Sequence, residues 1–202
     1  MEFSDLIAKR RMVRAFTTDP VDPGAVERIL KAANRAPSAG FSQGYALLLL
    51  DRPDQLQAFW QLQFEEGNDE KLKARFEPVT RAPVVIVPLS CKDVYLDRYA
   101  RPDKGWTDRD EARWPVPYWD IDTGFMSMLM LLAAVDEDLG ALFFGMFGPA
   151  IGRFREQFGV PDQYMPIGAI AVGHPDPSLD LGGSSKTIKR RELGDLVHRG
   201  HW

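Results

Sequence analysis

Apolar residues change their spacing from one stretch of the chain to the next, and each spacing predicts a different element. In "DPGAVERILKAANRA", residues 22–36, Val26, Ile29, Leu30 and Ala33 recur at i, i+3, i+4 and i+7, the stripe of an amphipathic helix. Asp22 is placed to cap that helix and Pro23 falls in its first turn, where a missing N–H is tolerated. "EFSDLIAKRRMV", residues 2–13, predicts an earlier helix with Ser4 as its cap. "YALLLLD" (45–51) and "APVVIVPLS" (82–90) are continuous apolar runs bounded by turn residues, as expected of strands covered on both faces. "DQLQAFWQLQFEEG" (54–67) predicts a helix between them. Residues 120–138 form the most apolar helical stretch, followed by "ALFFGMF" (141–147) as a third strand, "PAIGRFREQFG" (149–159) as a short helix and "MPIGAIAVG" (165–173) as a fourth strand. Residues 92–118 carry Trp106, Trp114 and Tyr118 among many charges with no clean period, and are expected to be a covering segment. No repeat or linker divides the chain, so residues 1–202 are read as one domain. Two helices before the first strand, then strands interleaved with helices, argue an α+β fold or three-layer sandwich.

Composition narrows the function classes. At 202 residues and 45% apolar, the chain can bury a substantial core. Its 25 basic and 29 acidic residues give a net charge of −4, which argues against nucleic acid or an acidic membrane as partner. Cys91 is the one cysteine, so there is no intrachain disulfide and no cysteine-based zinc cluster, in keeping with a reducing cytoplasm. It is expected to be a small buried hydrophobe beside a strand. The first residues place their basic side chains after a short apolar patch, unlike a signal peptide. The longest apolar stretch, "GFMSMLMLLAAV" (124–135), is too short to span a bilayer. A soluble protein is expected.

Three short motifs suggest chemistry that their context does not support. "GFSQG" (40–44) matches a serine-hydrolase elbow with Ser42 as nucleophile, but that elbow needs a strand before the serine and a helix after it, the reverse of the order here. "DTG" (122–124) resembles an aspartic-protease signature, yet it opens the most apolar helix, where Asp122 and Thr123 are expected to act as caps. "LGGSSKT" (181–187) has Ser185 where a phosphate loop needs glycine, and reads as a turn. No histidine pair at ligand spacing appears, so no metal site is expected.

What remains is positive charge at both ends of an acidic chain. Arg10 and Arg14 are expected to share a face of the first helix with Arg11 beside them, and "KRRE" (189–192) forms a second cluster just before "LGDLV". Guanidinium forks suit phosphate oxygens, so both clusters converging on one phosphate monoester would account for them.

The order of these pieces resembles the FMN-dependent nitroreductase family. "RRMVRAF" (10–16) followed by "PVDPGAVERILKAANRAPSAGFSQGY" (20–45) is similar to its opening. "APVVIV", the apolar helix ending in "DLGALFFGMFG", "FGVPDQYMPIGAIAVGHP" and "KRRELGDLVHRGHW" follow in the family's order and spacing, with residues 60–118 matching least. The resemblance implies a nitroreductase-like three-layer α-β-α sandwich around a mostly antiparallel sheet, in an intertwined homodimer. The tail, residues 178–202, would reach the partner subunit. It implies that Arg10, Arg11, Met12, Arg14, Lys189 and Arg191 contact the FMN phosphate and ribityl chain, with Met12 standing where the family commonly has serine. Pro37, Ser38, Ala39 and Gln43 would border the flavin, and Phe144, Gly145 and Met146 would approach its reactive edge. The implied activity passes a hydride from NAD(P)H through FMN to a flat acceptor such as a nitroaromatic or quinone, with no general base required. Trp106, Trp114, Tyr118 and Trp119 are either a stacking lid or packing, with packing favoured for each. Phe41 and the Gly44–Tyr45 pair depart from the family's usual residues beside the flavin. The glycine-aromatic loop also resembles the dimethylbenzimidazole-synthase subgroup, and a deazaflavin in place of FMN is a further alternative.

Overall fold

Two helices precede the sheet in the computed structural model, which describes residues 2–64, 70–180 and 182–202: α1 (Phe3–Lys9) and α2 (Pro23–Ala33). The Asp22 carboxylate accepts from the Gly24 and Ala25 amides, and Val26, Ile29 and Ala33 are buried, so cap and stripe act as the sequence predicts. Ser4 does not cap α1: the helix starts at Phe3, the flanking residue is Glu2, and no side chain bonds the free amides. The strands and helices that follow are β1 (Tyr45–Leu50), α3 (Pro53–Phe64), α4 (Glu70–Thr80), β2 (Val84–Ser90) and α5 (Lys92–Tyr99). Then come α6 (Tyr118–Asp136), β3 (Gly140–Phe144), α7 (Ala150–Gln157), β4 (Met165–Pro166) and β5 (Ala169–Gly173). Residues 65–67, at the end of the helix predicted over 54–67, lie outside the described residues.

The strands pair antiparallel in the order β1-β2-β5-β3, with β4 also on β2. Alternate residues of the central strands feed two cores. Val85, Val87, Leu89, Ala169, Ala171, Leu142 and Phe144 meet Phe59, Trp60 and Phe154 from α3 and α7. Val84, Ile86, Ile170, Val172 and Ala141 meet Val26 and Ile29 of α2 and Met126, Met130 and Ala134 of α6. The result is the expected three-layer α-β-α sandwich. β2 is buried at every residue, as its apolar run predicts, whereas β1 is half-buried except at Leu50 because it is an edge strand. The fourth predicted strand is split, since Gly168, at φ 157°, separates β4 from β5. The covering segment is partly ordered as α5 and two single 3₁₀ turns, at Pro102–Lys104 and Glu111–Arg113.

After α1 the chain runs extended beside β3: Met12 bridges Ala141 in parallel, the Val13 amide donates to Ala141 O at 3.0 Å, and Phe16 bridges Pro175. Phe16 and Ala15 are fully buried there. Phe59 is fully buried between Trp60, Phe144 and Phe154, at centroid distances of 5.1, 6.4 and 6.1 Å. Phe59→Ala is expected to lower unfolding free energy by about 3–5 kcal/mol, measured by urea denaturation, because that site cannot collapse around the lost ring.

Candidate functional site

The site grows from the loop between α2 and β1. Gly40, Phe41 and Gln43 take positive φ values of 59°, 52° and 54°. Left-handed backbone costs a non-glycine residue roughly 1–2 kcal/mol, so something must hold this loop. Four contacts do so. The Asp122 carboxylate accepts from the Ala39 amide at 2.8 Å, and Arg98 Nε donates to Gly40 O at 3.0 Å. Ser38 Oγ accepts from the Gln43 amide at 3.0 Å, and the Cys91 amide donates to Gly44 O at 2.8 Å. Gly44 also lacks room for a side chain, since a Cβ there would lie 2.5 Å from the Tyr95 ring and 2.8 Å from Cys91 O.

Asp122 is the centre of this arrangement. It lies inside α6, only 3% exposed, and accepts from Tyr95 Oη at 2.7 Å as well as from Ala39. The expected capping role for Asp122 and Thr123 is therefore corrected. The helix begins at Tyr118, four residues earlier than Asp122, and Thr123 Oγ1 donates to the Trp119 carbonyl within the helix. Tyr95 is fully buried, with Trp114 and Trp119 edge-on to its ring at 6.0 and 6.3 Å. Burial raises the Tyr95 hydroxyl above the ordinary tyrosine range, and its hydrogen bond to Asp122 and the charge of that group push in the same direction. Trp106 and Trp114 pack on Tyr99 at 4.9 and 4.6 Å, and Trp114 on Tyr118 and Trp119, so these aromatics form a self-packed cluster that backs the loop. Arg98 is itself fixed by a two-pronged ion pair with Asp103 at 2.7–2.8 Å.

The arginines are arranged differently from the sequence expectation. α1 ends at Lys9, so Arg10 and Arg14 do not share a helical face; they stand on the extended segment beside β3. Arg10 and Arg11 line a cavity of about 480 Å³ with Lys9, Asp138 and Pro175. Arg14 faces a second cavity, of about 420 Å³, whose wall includes Lys71, Arg75 and Gly182. Gly183 lies against the Arg14 guanidinium, where a Cβ would come within 2.6 Å of its Cζ. Gly182 and Gly183 thus seat an arginine ahead of the 3₁₀ turn at Ser184–Lys186. Among the described residues, Arg28, Arg52, Arg81, Arg98, Arg109, Arg113 and Arg155 pair with carboxylates, whereas Arg10, Arg11 and Arg14 have none, nor do Arg35, Arg75 and Arg101. The tail's basic cluster does not join them within one chain: Lys189 and Arg191 are exposed, border neither cavity, and Arg191 donates to the Asp195 carbonyl.

Pro37 and Gln43 are exposed, and Ser38 and Ala39 half-buried. Phe144 closes β3 in the core, while Gly145 is exposed, with open space where a side chain would stand, and Met146 is half-buried. Ser42 Oγ donates to the Ala39 carbonyl at 2.6 Å, and the loop runs from helix to strand, so no hydrolase elbow is built. Cys91 is buried beside β2, as expected. Among the described residues no acidic, histidine or cysteine group could hold a metal, and no helix is long and apolar enough to cross a membrane.

A family model described as the nitroreductase family matches residues 7–174, most of this chain. The protein belongs to the nitroreductase family. Among solved structures, a nitroreductase family protein from Clostridium difficile 630 is 21% identical with a TM-score of 0.72 over 100% of both chains. A protein described as a nitroreductase from Exiguobacterium sibiricum 255-15, in complex with FMN, is 20% identical with a TM-score of 0.72 over 98% of this chain and 97% of that one. An NADPH-dependent oxidoreductase of Staphylococcus aureus (strain USA300) is 24% identical over 188 residues, covering 90% of this chain and 67% of that protein. In this nitroreductase, Asp122, Tyr95 and Arg98 are the residues the sequence analysis missed. The one signal was the "DTG" motif, whose aspartate has a polar role inside an apolar helix.

Tyr95→Phe is expected to cost about 1–3 kcal/mol at pH 7, the effect of leaving a buried acceptor short of one donor. The unfolded chain loses its tyrosine proton near pH 10, before the folded one does, so the wild-type advantage is complete below about pH 10 and falls as pH rises beyond it. Thermal melts of both proteins from pH 7 to 11 should show their difference narrowing above pH 10.

Proposed function

We propose that the chain is a flavin-dependent oxidoreductase that binds FMN and passes a hydride from NAD(P)H to a flat acceptor such as a nitroaromatic or quinone. The observation that carries this reading is the row of arginines without carboxylate partners on the segment beside β3, in a chain of the nitroreductase family. Guanidinium groups left free of internal acids, in a protein of net charge −4, are what a phosphate monoester requires. FMN, when bound, supplies the redox chemistry, taking the hydride and passing the electrons on.

The chain's own residues hold, orient and shield. Arg14 would grip the phosphate, with Lys189 and Arg191 from the tail of a partner subunit closing on it, and Arg10 and Arg11, which line a separate cavity, would add positive charge around it. Met12, bridged to Ala141, offers only its backbone and thioether where a hydroxyl would donate. Pro37, Ser38, Ala39 and Gln43 would border the flavin from a loop held in place by Asp122 and Arg98. The open Gly145 backbone, between Phe144 and Met146, gives the ring room for close approach. The protons that complete reduction of the acceptor would come from solvent.

A homodimer completes this picture, and apolar surface on one chain supports it. Ile121, Phe125 and Met128 form an exposed i, i+4, i+7 stripe on α6, and Phe3 and Ile7 of α1 are exposed nearby. The tail from Thr187 to Trp202 is exposed throughout and carries Leu193, Leu196, Val197 and Trp202. An apolar stripe of this kind on a protein read as soluble and cytoplasmic calls for a second copy.

The freshly purified protein is expected to be yellow, to bleach with anaerobic NADPH and to recover its colour with a nitroaromatic; a colourless protein that takes up no FMN would overturn the reading. Arg14→Ala should weaken FMN about tenfold to a hundredfold by fluorescence titration, as expected for one charge-assisted hydrogen bond. Phe125→Asp should move the protein from dimer to monomer in sedimentation.

A further inference from the structure

The aromatic cluster that backs the loop over residues 38–43 joins a half-buried tryptophan to a buried hydrogen bond. The ring centroids of Trp114 and the fully buried Tyr95 lie 6.0 Å apart. Trp119 neighbours both, at 6.1 Å from Trp114 and 6.3 Å from Tyr95. A branch runs outward from Trp114 to Tyr99 at 4.6 Å and on to Trp106 at 4.9 Å. Packing alone would be served by phenylalanine or leucine, yet every ring in this cluster belongs to tryptophan or tyrosine. Those are the aromatic side chains that give up an electron most readily. Electron transfer falls off exponentially with distance, so rings this close exchange electrons quickly.

Charge gives the cluster a direction. On the outer branch Lys104 lies over the Tyr99 ring at 4.9 Å, and the Arg113 guanidinium lies 5.8 Å from the Trp106 ring. A cation over a ring opposes removal of an electron from it. At the inner end the Tyr95 hydroxyl donates to the buried Asp122 carboxylate at 2.7 Å. An oxidised tyrosine is strongly acidic and persists only when its proton has a base to go to, and Asp122 is a base already in place. Tyr99 and Tyr118 also neighbour Trp114, at 4.6 and 5.7 Å, but neither hydroxyl bonds an acceptor among the described residues. Each would have to release its proton to water, a far weaker base than a carboxylate. Trp114 Nε1 is buried with no partner, so an electron vacancy on this ring cannot be settled by losing the N–H proton and is passed on.

We propose that Tyr95 is a redox-active residue, reached through Trp114, that traps one-electron oxidants of the small inorganic-radical class. The oxidant takes one electron from Trp114 and leaves as its anion. Trp114, now a radical cation, takes one electron from Tyr95, and in the same step the Tyr95 hydroxyl proton passes to Asp122 across their hydrogen bond. The products are a neutral tyrosyl radical, a neutral carboxyl group and restored Trp114, so charge and atoms balance. A small thiolate resets the trap by returning one electron along the same rings while Asp122 returns the proton. Asp122 also accepts from the Ala39 amide, and a neutral carboxyl group accepts more weakly than a carboxylate, so the loop is held less firmly until the reset. The trap goes beyond the flavin reading and does not depend on it.

The test generates azidyl radicals by pulse radiolysis in a solution of the purified full-length protein. Every sample carries Trp202→Phe, because Trp202 is 96% exposed and would draw the oxidant to the tail. The optical band of the tryptophan radical is expected to decay as that of the tyrosyl radical rises, at a rate independent of protein concentration. The rise should be slower in D₂O, since a proton moves with the electron. Tyr95→Phe should remove most of the tyrosyl yield and leave the tryptophan radical long-lived, Trp114→Phe should slow the transfer, and Tyr99→Phe should change neither. To locate the radical with ring and hydroxyl kept in place, 3-fluorotyrosine at position 95 should add a fluorine splitting to its electron paramagnetic resonance spectrum. A tyrosyl yield that survives Tyr95→Phe, a rate untouched by Trp114→Phe, or a spectrum without the fluorine splitting would overturn the proposal.

Discussion

A carboxylate buried inside an apolar helix is the constraint on which the candidate site depends. Removing such a group from water costs several kcal/mol, by general estimates, unless hydrogen bonds replace the lost solvent. Asp122 finds two donors, the Tyr95 hydroxyl from α5 and the Ala39 amide from the loop before β1. Neither donor can move far without stranding the charge, so α5, α6 and the loop are fixed relative to one another by one side chain. Hydrophobic packing alone would not do this, because it tolerates small slides that a hydrogen bond of 2.7–2.8 Å does not. The loop's left-handed residues are held against their own preference by that geometry, with Arg98 adding a second anchor at Gly40.

The arginines answer to a different constraint. α1 stops at Lys9 because the next residues are captured by the sheet: the Val13 amide bonds to Ala141, and Ala15 and Phe16 are buried. Continuing the helix would pull Phe16 out of the core. An extended chain advances about 3.3 Å per residue against about 1.5 Å in a helix, so Arg10, Arg11 and Arg14 are spread over two cavities instead of being stacked on one helix face. The glycines at 182 and 183 then let the chain start of the tail pass close to Arg14. The sequence spacing predicts a shared helix face that the structure does not form, because α1 ends at Lys9.

What could be read from the sequence follows the same division between local and tertiary causes. Asp22, Pro23 and the α2 stripe are local signals, and the structure bears them out residue by residue. β2 was legible because burial on both faces leaves an unbroken apolar run. β1 has the same run yet sits at an edge, a fact set by strand order and invisible in its own residues. α4 and α5 were missed because their surfaces are mostly charged, and α4 contains Pro78, which reads as a breaker. The "DTG" motif stands in a helix that begins at Tyr118, two residues before the apolar stretch at 120, so its aspartate is interior and not a cap. Gln63 gave no signal at all: its buried side-chain oxygen accepts from the Phe147 amide, 84 positions away.

α6 links the loop to the proposed dimer. Met126, Met130 and Ala134 face the sheet, while Ile121, Phe125 and Met128 remain open on another side, so the helix is apolar nearly all round. A helix of that composition is stable when covered on both sides. Asp122 lies between the two faces, next in sequence to Ile121, and its bond to Ala39 brings the loop to the edge of the open stripe. Any surface that covers the stripe must therefore come close to residues 38–43. Under the proposed homodimer, a second copy docking there would present its own segments beside that loop, so the position of one buried carboxylate on one helix would bring the loop to the subunit boundary.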